Sequence, residues 1–153
     1  MAYPSQSRGN FSGGSRPASD RIPLPQPVNY FDDPSQKKKP NKNLVSTDAE
    51  RLAQDIKEVP ASQIRRYYAD VTTLARRIDL DENLTSEAIQ SQMLLLKAKA
   101  VYGQKRLKLP DAFLQFFVDH GHAVKDKADF REFHRMFEAV IAYHKFYEIK
   151  QRN

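Results

Sequence analysis

From Leu44 onward, apolar residues recur at intervals of three and four, and no alternating run is long enough to argue a strand. Thr47, followed three residues later by Glu50, reads as a capping box for a short helix ending before Pro60. Pro60 and Ser62 open a second helix, whose apolar face runs Ile64, Tyr68, Val71, Leu74 and Ile78 before a turn over Asp79 to Asn83. Thr85 or Ser86 starts a third through Ile89, Met93, Leu96 and Ala100, fading near Gly103. Leu109–Pro110–Asp111 opens a fourth carrying Phe113, Phe116 and Phe117, which stops around Gly121. Asp129 caps the last, with Phe130, Phe133, Phe137, Val140, Ile141, His144 and Tyr147 along one face. The pattern predicts an all-α protein: a compact antiparallel bundle of about five helices joined by short connections. Its 9 phenylalanines and 7 tyrosines supply a core that needs no metal or disulfide staple.

Upstream of Leu44 the pattern dissolves. Of 9 prolines, 7 lie in the first 42 residues, with 3 of the 5 glycines, among Ser, Asn and Gln. Proline at that density removes helix donors, and apolar residues are too sparse to offset chain entropy. Residues 1–43 are therefore expected to form a disordered, basic tail, with 44–153 as a single helical domain. The stretch Ile22 to Val28 alternates with Pro23, Pro25 and Pro27 and has the makings of a short extended recognition segment, although a solvated extension fits its composition better.

The chain of 153 residues carries a formal net charge of +6, which favours polyanions as partners but is equally what a soluble surface needs. Its distribution is more telling. Arg65, Thr72 and Arg76 share one stripe of the second helix, and Arg66, Thr73 and Arg77 a parallel one, both turned from the apolar face. Asp70, one turn after Arg66, is placed to pair with it. On the third helix Lys99, Tyr102 and Arg106 follow one another at i, i+3 and i+7, flanked by Lys97, Lys105 and Lys108. Two such helices side by side would form a groove that follows a phosphate backbone. Tyr67 and Tyr102 are candidates to stack on bases, whereas Tyr68 follows the apolar stripe into the core. The expected RNA-binding set is Arg65, Arg66, Tyr67, Arg76, Arg77, Lys97, Lys99, Tyr102, Lys105 and Arg106.

Other chemistry finds little footing. Without cysteine there are no disulfides or thiolates, and a zinc site would have to rely on His and carboxylates. Asp119, His120 and His122 match no ligand spacing, and the His134–Glu138 pair is ordinary on helix surfaces. No two poised groups suggest acid–base catalysis, and no glycine loop cradles phosphate. His144, on an apolar face, reads as a buried, hydrogen-bonded histidine. No catalytic residue, metal or cofactor is expected. No apolar run is long enough for a membrane span and no signal region opens the chain, in keeping with a cytoplasmic protein.

Two segments carry a family resemblance: S-Q-I-R-R-Y-Y over Ser62 to Tyr68, and F-E-A-V-I-A-Y-H-K-F-Y over Phe137 to Tyr147. In this order on a short basic chain they resemble the small subunit of type III-A (Csm) CRISPR effector complexes, over roughly Leu44 to Lys150. The resemblance implies a helical, non-catalytic protein of antiviral defence. Copies of it would stack along the duplex of crRNA and target RNA, beside the backbone and large polymerase subunits. The matched positions Gln63 to Tyr67 make Arg65 and Arg66 the first RNA contacts to defend, since guide pairing reads the sequence and the protein need hold only backbone and shape. A helical adaptor or scaffold that docks other proteins without touching RNA is the alternative, separable by the salt dependence of binding.

Overall fold

A computed structural model describes residues 21–152, with side chains to Glu148. Five α-helices make a compact bundle: α1 (Ala49–Asp55), α2 (Ala61–Leu80), α3 (Ser86–Leu107), α4 (Asp111–Ala123) and α5 (Lys127–Arg152), with a π-helical segment, Leu44–Asp48, leading into α1. Among the described residues there is no strand, only an isolated antiparallel bridge between Phe31 and Pro40. α3 lies along α4, α5 packs on α1 and α2, and α2 touches α3 more lightly.

Most helix starts obey their sequence signals. Thr85 caps α3 by accepting the Ala88 N–H on its hydroxyl at 3.1 Å, and Pro110 precedes α4. Four boundaries differ. Thr47 is no cap, because the helical path already begins at Lys42, where the Asn41 carboxamide accepts the Asn43 N–H at 3.1 Å. α5 starts before Asp129: the Asp126 carboxylate accepts the Asp129 N–H at 2.9 Å, while Asp129, itself buried, accepts the Lys125 N–H at 3.0 Å. α3 runs past Gly103 to Leu107 and ends on Lys108 at φ 54°, a left-handed residue that stops the helix. Gly121 does not end α4 either; it sits at the α3–α4 crossing, where a Cβ would lie 3.3 Å from Lys97 Cβ.

The core is aromatic. Phe113, Phe117, Phe130, Phe133 and Phe137 are all fully buried. Phe117 stands at the middle, its ring centroid 5.1 Å from Tyr67 and Phe113, 5.2 Å from Phe116 and 5.8 Å from Phe137, so α2, α4 and α5 meet on it. Truncating such a ring to alanine typically costs about 3–5 kcal/mol.

The expected tail needs correcting where it is described; its residues 1–20 lie outside the described part of the chain. Residues 21–43 are laid across α4 and α5 rather than free of them. Tyr30 and Phe31 are buried in the core, and the Tyr30 hydroxyl bonds His120 Nδ1 at 2.6 Å. The Gln26 N–H donates to Asp119 at 2.7 Å, Gln115 donates to the Leu24 carbonyl at 3.0 Å, and Lys37 pairs with Asp126 and Asp129. Two adjacent aromatics offset the ordering entropy that the surrounding prolines had suggested would win.

Candidate nucleic-acid interface

α2 owes its burial pattern to the apolar series 64, 67, 71, 74, 78, which turns Ile64, Tyr67, Val71, Leu74 and Ile78 inward. Tyr67, expected to face outward, is only 3% exposed and wedged against Phe113 and Phe117. Its hydroxyl donates to the Lys99 carbonyl at 3.3 Å, and burial, with Asp70 second, raises its pKa. A ring held in this way has no face left for a base. Tyr68, expected in the core, is the half-exposed one: it stacks beside His134 at 5.8 Å and donates to Glu138 at 3.0 Å. The two tyrosines exchange roles because the spacing of three to Tyr67 from Ile64, then four to Val71, stays closer to the mean helical face than the spacing through Tyr68.

Arg65, Arg66, Arg76 and Arg77 are all exposed on α2, and none of them enters an ion pair among the described residues. Asp70 does not take Arg66 as its partner. It reaches across to α3, where Lys99 Nζ lies 2.5 Å from its carboxylate and 4.9 Å from the Tyr67 ring centroid. Lys99 is thus largely neutralised, and both stripes of arginine keep their charge. Between α2 and α3 lies a cleft of about 290 Å³ lined by Asp70, Thr73, Arg77, Gln92, Leu95 and Lys99 among others. Its polar groups, one unpaired guanidinium among them, are suited to phosphate oxygens.

One helical turn along α3 from Lys99, Tyr102 is 61% exposed and carries Arg106 against it: the guanidinium lies 5.8 Å from the ring centroid and donates to the hydroxyl at 2.6 Å. An exposed ring beside a guanidinium is a platform on which a base can stack. Lys105 is exposed near the same helix end, beside a depression shared with Arg21, Gln104, Lys108 and Asp111.

Lys97 stands apart. Two residues before Lys99 on a helix means the opposite flank, and Lys97 turns to α4, where its Nζ lies 2.8 Å from His122 Nε2. Of the expected set, Arg77 and Lys99 line the α2–α3 cleft, Arg65, Arg66 and Arg76 are exposed on α2, Tyr102, Lys105 and Arg106 are exposed on α3, Tyr67 is buried, and Lys97 is turned to α4.

The histidines differ sharply. His120 is 3% exposed and burial drives its pKa down to about 3, so the ring is neutral. Burial, with Asp129 and Asp119 behind it, holds the Tyr30 phenol protonated well beyond its ordinary value, so the hydroxyl donates and Nδ1 accepts. His144 is buried as expected, its Nε2 donating to the Val59 carbonyl at 2.9 Å. His134 Nε2 approaches Glu138 at 3.4 Å. Among the described residues no three His, Asp or Glu side chains gather at metal-ligand spacing, and no helix is long and apolar enough to cross a membrane.

A family model described as Csm2 Type III-A matches residues 39–150, which takes in α1 to α5 up to the last residues of α5. No curated protein and no solved structure matches the chain.

Proposed function

The chain belongs to the Csm2 Type III-A family, small subunits of the type III-A CRISPR complex, and from that premise we propose that it grips RNA through the α2–α3 surface. Small subunits of this family are structural components of the effector complex, assembled with its other subunits. In our reading this subunit is non-catalytic, and copies of it line up along the paired guide and target RNA. Arg65, Arg66, Arg76 and Arg77 hold phosphates, Tyr102 with Arg106 offers the stacking platform, and Lys99 contributes only as far as Asp70 releases it. The observation that carries this is the row of four exposed guanidinium groups on α2, none with an ion-pair partner among the described residues. Unpaired arginines on a rigid helix present their donors to an anion without first breaking an internal bond.

The test is fluorescence anisotropy on short single-stranded RNAs of several sequences, over a series of salt concentrations. The parent should lose affinity with a log–log slope of about −0.7 per phosphate contact, and Arg65→Glu with Arg66→Glu should weaken binding to every sequence while helicity stays intact. Equal affinity in parent and variant removes α2 from the interface. α3 also exposes Leu94 and Leu95, which favours protein docking as a second reading. Affinity for RNA that is absent or flat with salt selects that adaptor role.

A further inference from the structure

At the end of α4 furthest from its N-terminus, a lysine ammonium meets an imidazole on which the charge of a second lysine also acts. Lys97 from α3 places Nζ 2.8 Å from His122 Nε2, and Lys125, in the connection to α5, is close enough to act on the same imidazole. Neither lysine enters an ion pair among the described residues. An ammonium bonded to an imidazole lone pair, with a second lysine's charge acting on the same ring, is an arrangement of like charges awaiting a counter-ion.

The fold holds this cluster in place. Gly121 brings α4 close to α3: Lys97 Cβ and Cδ lie 3.3 and 3.9 Å from where a Gly121 Cβ would stand. The lysine stem is therefore laid along the crossing and its head delivered to His122. Lys125 is fixed from two sides, its N–H donating to Asp129 at 3.0 Å and its carbonyl accepting from Gln90 at 2.9 Å. The acidic groups nearby are engaged elsewhere. Asp119 shares with His122 a depression beside Pro25 to Val28, and it accepts from the Gln26 N–H and from Gln115. Asp126 and Asp129 are paired with Lys37. The segment Pro25 to Val28 adds no charge.

We propose that Lys97, His122 and Lys125 form a binding site for a phosphate group, on the flank of α3 away from the α2–α3 cleft. A tetrahedral anion would accept from both ammonium groups and turn the imidazole from an acceptor into a donor, replacing mutual repulsion by charge-assisted hydrogen bonds. Burial first, then Lys97 and Lys125, depress the His122 pKa, so an anion there should raise it.

The measurement is the His122 ring signal in a proton–nitrogen NMR titration of the full chain, with inorganic phosphate against sodium chloride of equal ionic strength. Phosphate should move the ring resonances saturably and raise the apparent His122 pKa. Lys97→Met, which keeps the apolar stem along Gly121, should weaken phosphate binding about tenfold, as loss of a charge-assisted hydrogen bond does. No response of His122 beyond that to chloride overturns the proposal. A second arm uses a short oligouridylate: competition with phosphate for the His122 shift identifies the anion as an RNA phosphate, whereas phosphate binding without an RNA response identifies a free anion. RNA binding that is lost in Arg65→Glu/Arg66→Glu, with His122 silent to both ligands, would leave the α2 interface standing and this site refuted.

Discussion

Acid should unfold this protein through one imidazole. His120 has a pKa of about 3 in the fold, whereas an unfolded histidine titrates near ~6.5. Between those values the unfolded chain binds a proton that the folded one refuses, so stability falls as pH falls, by up to ~1.4 kcal/mol per pH unit. At about pH 5 the loss is ~2 kcal/mol relative to neutrality, and it continues until saturating near the folded value. Asp33 and Asp126, held below the ordinary carboxylate range by hydrogen bonds, also lose stability in acid, but chiefly below the unfolded carboxylate value of ~3.9 and so outside the interval compared here. His122 is shifted in the same direction as His120, but it is exposed and common to both proteins compared below. Urea unfolding followed by circular dichroism, at about pH 7 and about pH 5, should show the parent midpoint fall by ~1 M for a denaturant slope near ~2 kcal/mol/M. The comparator is Tyr30→Phe with His120→Phe; both are changed because the His120→Phe substitution alone would strand the buried phenol hydroxyl. Its midpoint should move far less over the same interval. If parent and double variant lose the same stability on acidification, the account of a buried neutral His120 is wrong.

Gly103→Ala would place a methyl 2.3 Å from Tyr67 Oη and 3.1 Å from Leu109 Cδ1, so it should destabilise by about 1–3 kcal/mol. Combined with Tyr67→Phe, which removes the obstructing oxygen, the alanine should cost measurably less in a urea double-mutant cycle; a purely additive cycle would deny the contact. Asp70→Asn removes the carboxylate that occupies Lys99, so RNA affinity should rise and the log–log salt slope steepen by about 0.7, read by the same anisotropy assay. An unchanged slope would show that Lys99 faces no phosphate.

The helical bundle was legible because aromatic and aliphatic residues repeat at helical spacing through α2, α4 and α5, and Thr85 and Pro110 announce their helices. The exposed arginines were legible for the same reason: a side chain opposite a clear apolar face has only solvent to meet. Partners across elements were not legible. Nothing local tells Asp70 to prefer Lys99 over Arg66, since the choice depends on how closely α3 approaches α2. Tyr67 and Tyr68 are neighbours on a helix, and only the strict series 64, 67, 71, 74, 78 would have told them apart. The hidden role of Tyr30 and Phe31 was masked by the prolines around them. The grouping of Lys97 with His122 and Lys125 needed the crossing at Gly121, which a one-dimensional pattern does not contain.

Tyr30 completes its packing only against a residue 90 positions later, and Gln54 meets Tyr147 across 93. A nascent chain emerging from the ribosome therefore carries Tyr30 without its buried partner until α4 has been made. Contacts of such span slow the final closure relative to a bundle of neighbouring hairpins, and leave the unfinished chain exposed to aggregation for longer. Both α4 and α5 must have been made before this subunit has the shape on which any assembly depends.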